Sequence, residues 1–249
     1  MFCIKEFAQE GEERSMWSHN RFVRTEQLIG EAGVQVLSAS KVAIFGLGGV
    51  GSYAAEALAR SGIGTLNIID FDCIDESNIN RQLLAMTSTL GQPKVEVMAK
   101  RIHEINPEAT VTPFNAFYSA ESSHLLISDD LDYVVDAIDS VDSKIHLIKT
   151  CVERGIPIIS SMGAGNRLDP TAFKVDDISR THSCPLARAV RHNLRQIGIK
   201  KGVKVVFSAE PSQVCHHHPP SSISFVPPVV GFIMCSVVVK ELLAEVTIK

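Results

Sequence analysis

No C-x-x-C pair occurs in this chain: Cys3, Cys73, Cys151, Cys184, Cys215 and Cys235 stand far apart. That disfavours a structural zinc site and a short-range disulfide framework, and it points to the reduced thiols of a cytoplasmic protein. The N-terminus is polar and shows no signal peptide. Phe225 to Val239 is apolar, but it is short for a membrane span and carries Pro227, Pro228 and Gly231. It reads as a buried core segment, so no membrane association is expected. Internal repeats and low-complexity tracts are absent. Positive charge is not in excess either: the net charge of −4 argues against bulk affinity for nucleic acid while leaving room for a local basic patch. What remains is ordinary for a soluble α/β protein, with 45% hydrophobic and 21% charged residues. A length of 249 residues suffices for a large core in one domain, here placed at 21–249 after a polar segment at 1–20.

The chain is organised around Lys41 to Asp72, KVAIFGLGGVGSYAAEALARSGIGTLNIIDFD. Val42 to Phe45 reads as a buried strand. Gly46, Gly48 and Gly51, with Gly49 among them, supply G-x-G-x-x-G. Ser52 to Ser61 follows as a helix stopped by Gly62 and Gly64, and Leu66 to Ile69 is a second buried strand ending on Asp70, with Asp72 two residues on. Glycines let backbone approach phosphates, a helix N-terminus offers free N–H groups, and an acid about 20 residues on can hold a ribose hydroxyl. A nucleotide site is predicted here, the alternative being a tight strand–helix turn.

Asp75 to Gln82 (DESNINRQ) reads as a loop past the carboxyl end of a strand, where open α/β sheets place their ligands. Asn78, Arg81 and Gln82 are candidate phosphate or substrate contacts; an ordinary exposed loop is the other reading. Lys94 opens the next helix against the helix dipole, so either an anion or simple solvation accounts for it. Ala109 to Phe114 and Leu131 to Ile138 are predicted strands, with a short helix at Ser119 to Ile127 between them. Asp136, Asp139 and Asp142 crowd the end of the second strand. They suit Mg²⁺, which takes one or two carboxylates plus phosphates, or Asp139 or Ser140 caps the helix that follows. That helix is Lys144 to Arg154, and Ile156 to Ser160 is the next strand. Strands alternating with helices predict a doubly wound, mostly parallel sheet of Rossmann-like type.

At the N-terminal side, Arg21 to Leu37 reads as a helix with Leu28, Ile29, Val34 and Leu37 on its apolar face, preceded by Arg21 and Arg24, which spacing alone leaves as a solvated helix start. Past Val175 the character changes. Arg180 to Lys204 holds seven Lys or Arg and no acid. Leu186, Val190, Leu194 and Ile197 are assigned to one helical face, with Arg188, Arg191 and Arg195 opposite and Lys200 and Lys201 beyond. This basic C-terminal extension is either a solvated surface or a contact for a polyanion. Val203 to Ser208 is a strand and Val229 to Leu243 a helix. His216 to His218 beside Cys215 could bind metal, but the flanking Pro and Ser favour an exposed loop.

GLGGVG, Asp70, N-x-x-R-Q at Asn78 to Gln82, Lys94 and D-A-I-D at Asp136 to Asp139 together resemble the E1-like (ThiF) ATP-dependent adenylating superfamily. The resemblance implies that the glycine loop and Asp70 hold ATP, that Arg24, Arg81 and Lys94 contact its phosphates, and that Asp139 binds Mg²⁺. It also implies a homodimer, with Arg24 reaching the site from the partner subunit. ALARSGIG, NRQ, VMAKRIHEINP, DAIDSVDSK and the basic segment ending in VVFSAE are similar to its tRNA threonylcarbamoyladenosine dehydratase branch. The implied reaction is adenylation of the carboxylate of threonylcarbamoyladenosine in tRNA, then ring closure with loss of water. The implied partners are that tRNA, held by Arg188, Arg191, Arg195, Lys200 and Lys201, and a sulfur-transfer protein. Some members of the branch have a suspected cysteine, but neither Cys215 nor Cys235 matches it clearly, so no catalytic cysteine is assigned. Other readings are adenylation of the C-terminus of a ubiquitin-like or sulfur-carrier protein, a nicotinamide-dependent oxidoreductase, and a non-enzymatic tRNA-binding scaffold. The oxidoreductase gives the NRQ loop, Lys94 and Asp139 no task.

Overall fold

The computed structural model describes residues 21–212, 220–244 and 246; the polar segment 1–20 and the Cys215 to His218 run lie outside them. Seven strands make one sheet: β1 (Lys41–Phe45), β2 (Thr65–Asp70), β3 (Thr110–Asn115), β4 (Tyr133–Asp136), β5 (Ile158–Ser161), β6 (Phe173–Asp177) and β7 (Lys204–Ser208). Their spatial order is β3-β2-β1-β4-β5-β7-β6, parallel except for the antiparallel β6–β7 pair. Val42 and Ile44 enter one core cluster while Ala43 and Phe45 enter the other. Both faces of β1 are therefore covered, which is why it reads as a continuous apolar run. Helices α1 (Val23–Ala39), α2 (Gly51–Ser61), α3 (Lys94–Ile105) and α7 (Val226–Leu242) pack on one face. The short α4 (Ser123–Leu126), α5 (Val141–Arg154) and α6 (Pro185–Gln196) pack on the other. The sheet is doubly wound.

Four local readings of the sequence are corrected. Gly30 adopts φ 77°, ψ 165° and kinks α1, so Ile29, Gly33 and Leu37 are buried while Leu28 is 74% exposed. In α6 the buried stripe is Ala187, Val190 and Leu194; Leu186 is half-buried, and Ile197, past the last helical residue, is exposed. Helix α7 starts at Val226 rather than Val229, because Pro227 and Pro228 occupy its first turn, where a missing N–H costs no hydrogen bond. Strand β6, FKVDD, escaped notice because it is a polar edge strand with only one fully buried residue.

Candidate active site at the carboxyl edge of the sheet

Strand order reverses at β1, which lies between β2 and β4, and such a switch point opens a crevice beyond the strand ends. The glycine loop fills one side of it. Gly46 adopts φ +89°, and a Cβ there would stand 2.7 Å from the Ala137 carbonyl oxygen after β4. A Cβ on Gly51 would stand 1.8 Å from the Gly46 carbonyl oxygen. Gly48 differs: the nearest atom to its added Cβ is Gln82 Nε2 at 3.9 Å. Gly46 thus packs the loop on the β4 exit, Gly51 folds it on its own backbone, and Gly48 leaves space in front of the α2 N-terminus, as a phosphate requires.

Two acids leave β2 beside this loop. Asp70 Oδ2 accepts the Leu47 N–H at 2.6 Å and Oδ1 accepts the Asp72 N–H at 2.8 Å, so the carboxylate fixes both the glycine loop and its own exit turn. Burial pushes the Asp70 carboxyl above the usual carboxylate range, with Lys94 pulling it down. Lys94 is 4% exposed; its ammonium lies 2.7 Å from Asp72 and 4.0 Å from Asp70. An isolated bridge between Cys73 and Pro93 and the Lys94 N–H to the Asp72 carbonyl hold the start of α3 there. The lysine at a helix start is thus a buried cation matched to two carboxylates, and the solvated reading is set aside.

The NRQ loop covers Gly48 and Gly49. Arg81 Cγ would be 3.3 Å from a Cβ on Gly49, and its Nη1 donates to the Ser77 carbonyl and to Asn80 Oδ1. Gln82 is buried, and its Oε1 has no hydrogen-bond partner. An orphaned buried acceptor beside the open glycine fits a ligand that brings its own donor. Asn78 turns inward, its Oδ1 accepting the Asp75 N–H in a capping box. Ser52 ties the loop to the glycine turn, donating to the Gly48 carbonyl and accepting from the Leu83 N–H.

Across the crevice the acids of β4 separate. Asp136 is fully buried with Lys144 Nζ at 2.7 Å and Ser160 Oγ at 2.6 Å, so it leaves the set of metal candidates. Asp139 is exposed. The N-cap residue of α5 is Ser140, with no side-chain cap hydrogen bond, so the capping reading of this stretch is not realised. Among the described residues no group of three or more His, Cys, Asp and Glu is placed to hold a metal; Asp139 and Asp142 are exposed carboxylates just past the end of β4.

Two features were missed in the sequence. In the sequence Lys144 reads only as the start of a helix, and only Asp136 at the end of an apolar strand could have signalled its buried role. Phe71 and Phe117, just past β2 and β3, are 55% and 49% exposed and pack edge to face with centroids 5.0 Å apart. Aromatics just after two predicted strands, the first of which ends on Asp70, were the available signal. A cavity of about 400 Å³ lined by Arg21, Phe22, Arg60, Arg101, Glu104 and Ile105 lies at the C-terminal end of α3, the far end from Lys94.

Comparison with known proteins bears on this arrangement. Residues 19–248 match the ThiF family. The chain belongs to the ThiF family. Over 247 residues it is 48% identical to the tRNA threonylcarbamoyladenosine dehydratase of Bacillus subtilis, covering 92% of this chain and 97% of that protein. It superposes on the E. coli tRNA N6-threonylcarbamoyladenosine dehydratase TcdA in complex with ATP at TM-score 0.86 and 37% identity, covering 93% of this chain and 97% of that one. Similarity to the E. coli molybdopterin-synthase adenylyltransferase is 37% over 155 residues, 61% of each protein.

In this ThiF chain, Arg24 does not join the other predicted site residues. Arg21 donates to the Glu104 and Ile105 carbonyls, and Phe22 lies against Gly62, so α1 begins at the C-terminal ends of α2 and α3, opposite the glycine loop. Of the basic residues, Arg191 is half-buried and its Nη1 donates to the Thr181 carbonyl and hydroxyl, so that nitrogen is committed inside the chain. Arg188, Arg195, Lys200 and Lys201 are exposed. No helix among the described residues is long and apolar enough to cross a membrane. Burial pushes the Cys151 and Cys235 thiols up to about 12 and 11, so both stay protonated at neutral pH. Iodoacetamide at pH 7.5 is expected to modify exposed Cys73 and spare both, as read by peptide mass mapping; Cys235 labelled as fast as Cys73 would contradict its burial.

Proposed function

We propose that this chain is an ATP-dependent tRNA threonylcarbamoyladenosine dehydratase that works in the cytoplasm as a homodimer. The observation that carries the reading is Lys94, a cation buried against Asp70 and Asp72 beside an open glycine turn. In this reading Gly46, Gly48, Gly49 and Gly51 shape the phosphate cradle, Asp70 faces the ribose, and the Phe71–Phe117 pair flanks the base. Gln82 takes a donor from the nucleotide, and Asn78 acts indirectly by setting the loop. Arg81 and Lys94 meet the charge that builds as the substrate carboxylate attacks the α-phosphate and pyrophosphate leaves. Both are held before reaction, so little reorganisation is needed. Asp139 is the residue to hold Mg²⁺, which when bound neutralises phosphate charge. The neighbouring carbamoyl group then displaces AMP from the acyl-adenylate, closing the ring; the reacting groups belong to one molecule, so no protein nucleophile is required. Arg24 reaches the site only from the partner subunit, which is the argument for the homodimer.

The test is AMP release from ATP and Mg²⁺ with no RNA, with unmodified tRNA transcript, and with tRNA carrying threonylcarbamoyladenosine. AMP is expected only with the modified tRNA, alongside loss of one water mass from the digested nucleoside. Silence in all three, with AMP release on adding a diglycine-ended carrier protein, would replace this reading with protein C-terminal adenylation.

A further inference from the structure

Arg167 is the unexplained charge of this molecule. It is 4% exposed, and of its guanidinium only Nη2 is paired, donating to the Ser183 carbonyl at 3.1 Å; Nε and Nη1 are buried without a partner. No ion pair to it occurs among the described residues. An arginine cannot shed its proton, so an uncompensated buried guanidinium carries a standing desolvation cost. The two non-glycine residues with positive φ among those described are its chain neighbour Asn166 and its acceptor Ser183, both at 57°. Backbone strain and an unpaired buried cation converge on one spot, the combination expected where structure is held for a ligand.

The surroundings say which ligand. Ser183 immediately precedes Cys184, the N-cap of the 12-residue α6, and a helix N-terminus attracts anions. The 163–168 turn also connects to the nucleotide loop through bonded groups. Asn166 and Ser221 exchange two hydrogen bonds, Asn80 donates to the Ser222 carbonyl, and Arg81 and Pro227 both lie against Gly49. Exposed Arg188 stands one turn further along α6. The turn that carries Arg167 is thus tied to the glycine loop on one side, through Ser221, Ser222 and Asn80, and to the start of α6 on the other, through Ser183. The carboxylate to be adenylated loses its charge during the reaction, whereas a phosphodiester keeps its charge throughout, as the guanidinium does. Resting on the reading of the substrate as tRNA, we propose that Arg167 and the N-terminus of α6 form a seat for one backbone phosphodiester next to the modified nucleotide, fixing the register of the RNA. Arginine matches phosphate with paired donors, and Nε and Nη1 are the pair left open. Seating the phosphate requires the 163–168 turn to give way, and Asn166 and Ser183 are where it can relax.

The experiment compares wild type, Arg167→Gln and Arg167→Lys. Arg167→Gln is expected to weaken binding of unmodified tRNA transcript about tenfold and to lower the salt slope of that affinity by about one. Arg167→Lys should keep the slope. The apparent affinity for ATP should be unchanged. Without RNA, Arg167→Gln should melt at or above the wild-type temperature, since it removes an unpaired buried charge; a merely structural arginine would lower it. A lower melting temperature with unchanged RNA affinity overturns the proposal. So does weakened binding confined to the modified tRNA, which would make Arg167 a carboxylate seat. Binding of unmodified transcript is read without turnover, so it fails or holds independently of the AMP assay.

Discussion

Gly51→Ala is expected to abolish ATP binding in the working concentration range while leaving the sheet folded. The added Cβ would stand 1.8 Å from the Gly46 carbonyl oxygen and 3.1 Å from the Ala137 Cβ. The first is a backbone atom, so no rotamer change relieves it; the glycine turn itself must move. Overpacking of this kind costs about 3 kcal/mol at the upper end of its usual range, a factor of about a hundred in affinity. The displacement also falls on the residues that matter. Gly46 is anchored by its N–H to the Ile69 carbonyl, and Leu47 by its N–H to Asp70. A shift of Gly46 therefore breaks the link between the glycine turn and the acid beside Lys94. Gly48→Ala is the informative companion. Its Cβ meets nothing closer than 3.9 Å, so the ligand-free protein should melt like wild type, yet the methyl projects into the space a phosphate would take. Titration calorimetry with ATP and thermal melts of both variants decide the matter. ATP affinity of Gly51→Ala within a few-fold of wild type would mean that the nucleotide does not use this turn.

How much of this was legible beforehand depends on whether a residue's task is local. The β1–turn–α2 unit could be read because its constraints are short-range: a buried strand, glycines forced by close backbone approach, and a helix stop. Lys94 drew notice because it sits wrongly for the helix dipole, but its partners Asp70 and Asp72 come from another element and became visible only in three dimensions. Asp136 misled for the same reason. Three acids within seven residues (136–142) look like a metal cluster in sequence, yet the strand turns Asp136 into the core, where Lys144 and Ser160 take it, and leaves Asp139 outside. Arg191 and Arg167 show the reverse problem. Spacing put Arg191 on a free basic face, although Thr181 holds it, while Arg167 lay in a turn with no periodic signal at all. Edge strand β6 was illegible because an edge needs only one apolar residue to attach.

Lys144→Met is expected to destabilise the protein by about 3–5 kcal/mol, the usual result of removing one partner from a buried ion pair. For a chain of this size that lowers the melting temperature by on the order of 10 °C. Met fills most of the lysine's volume, so the loss comes from charge rather than from a cavity. Asp136, with no exposed surface, would keep only the Ser160 hydroxyl and the Ile138 N–H, too little to solvate a carboxylate in the core. Removing the charge as well should reverse much of the effect: Asp136→Asn with Lys144→Met is expected to regain more than half of the lost stability, because the amide oxygen can still accept from the Ile138 N–H while the amide NH2 donates to the Ser160 hydroxyl. Calorimetric or circular-dichroism melts of the two single variants and the double variant form a closed cycle. Strict additivity of the single losses would show that Lys144 and Asp136 do not act as a pair. The functional consequence follows from position. Asp136 Oδ1 holds the Ile138 N–H, and the next residue is Asp139, so this buried pair fixes the backbone from which Asp139 leaves the strand. Well below its melting temperature, Lys144→Met should therefore lose AMP release more than ATP binding. The glycine turn packs on Ala137 but keeps its anchors to β2, the Gly46 N–H to Ile69 and the Leu47 N–H to Asp70, whereas the β4 exit loses its buried anchor.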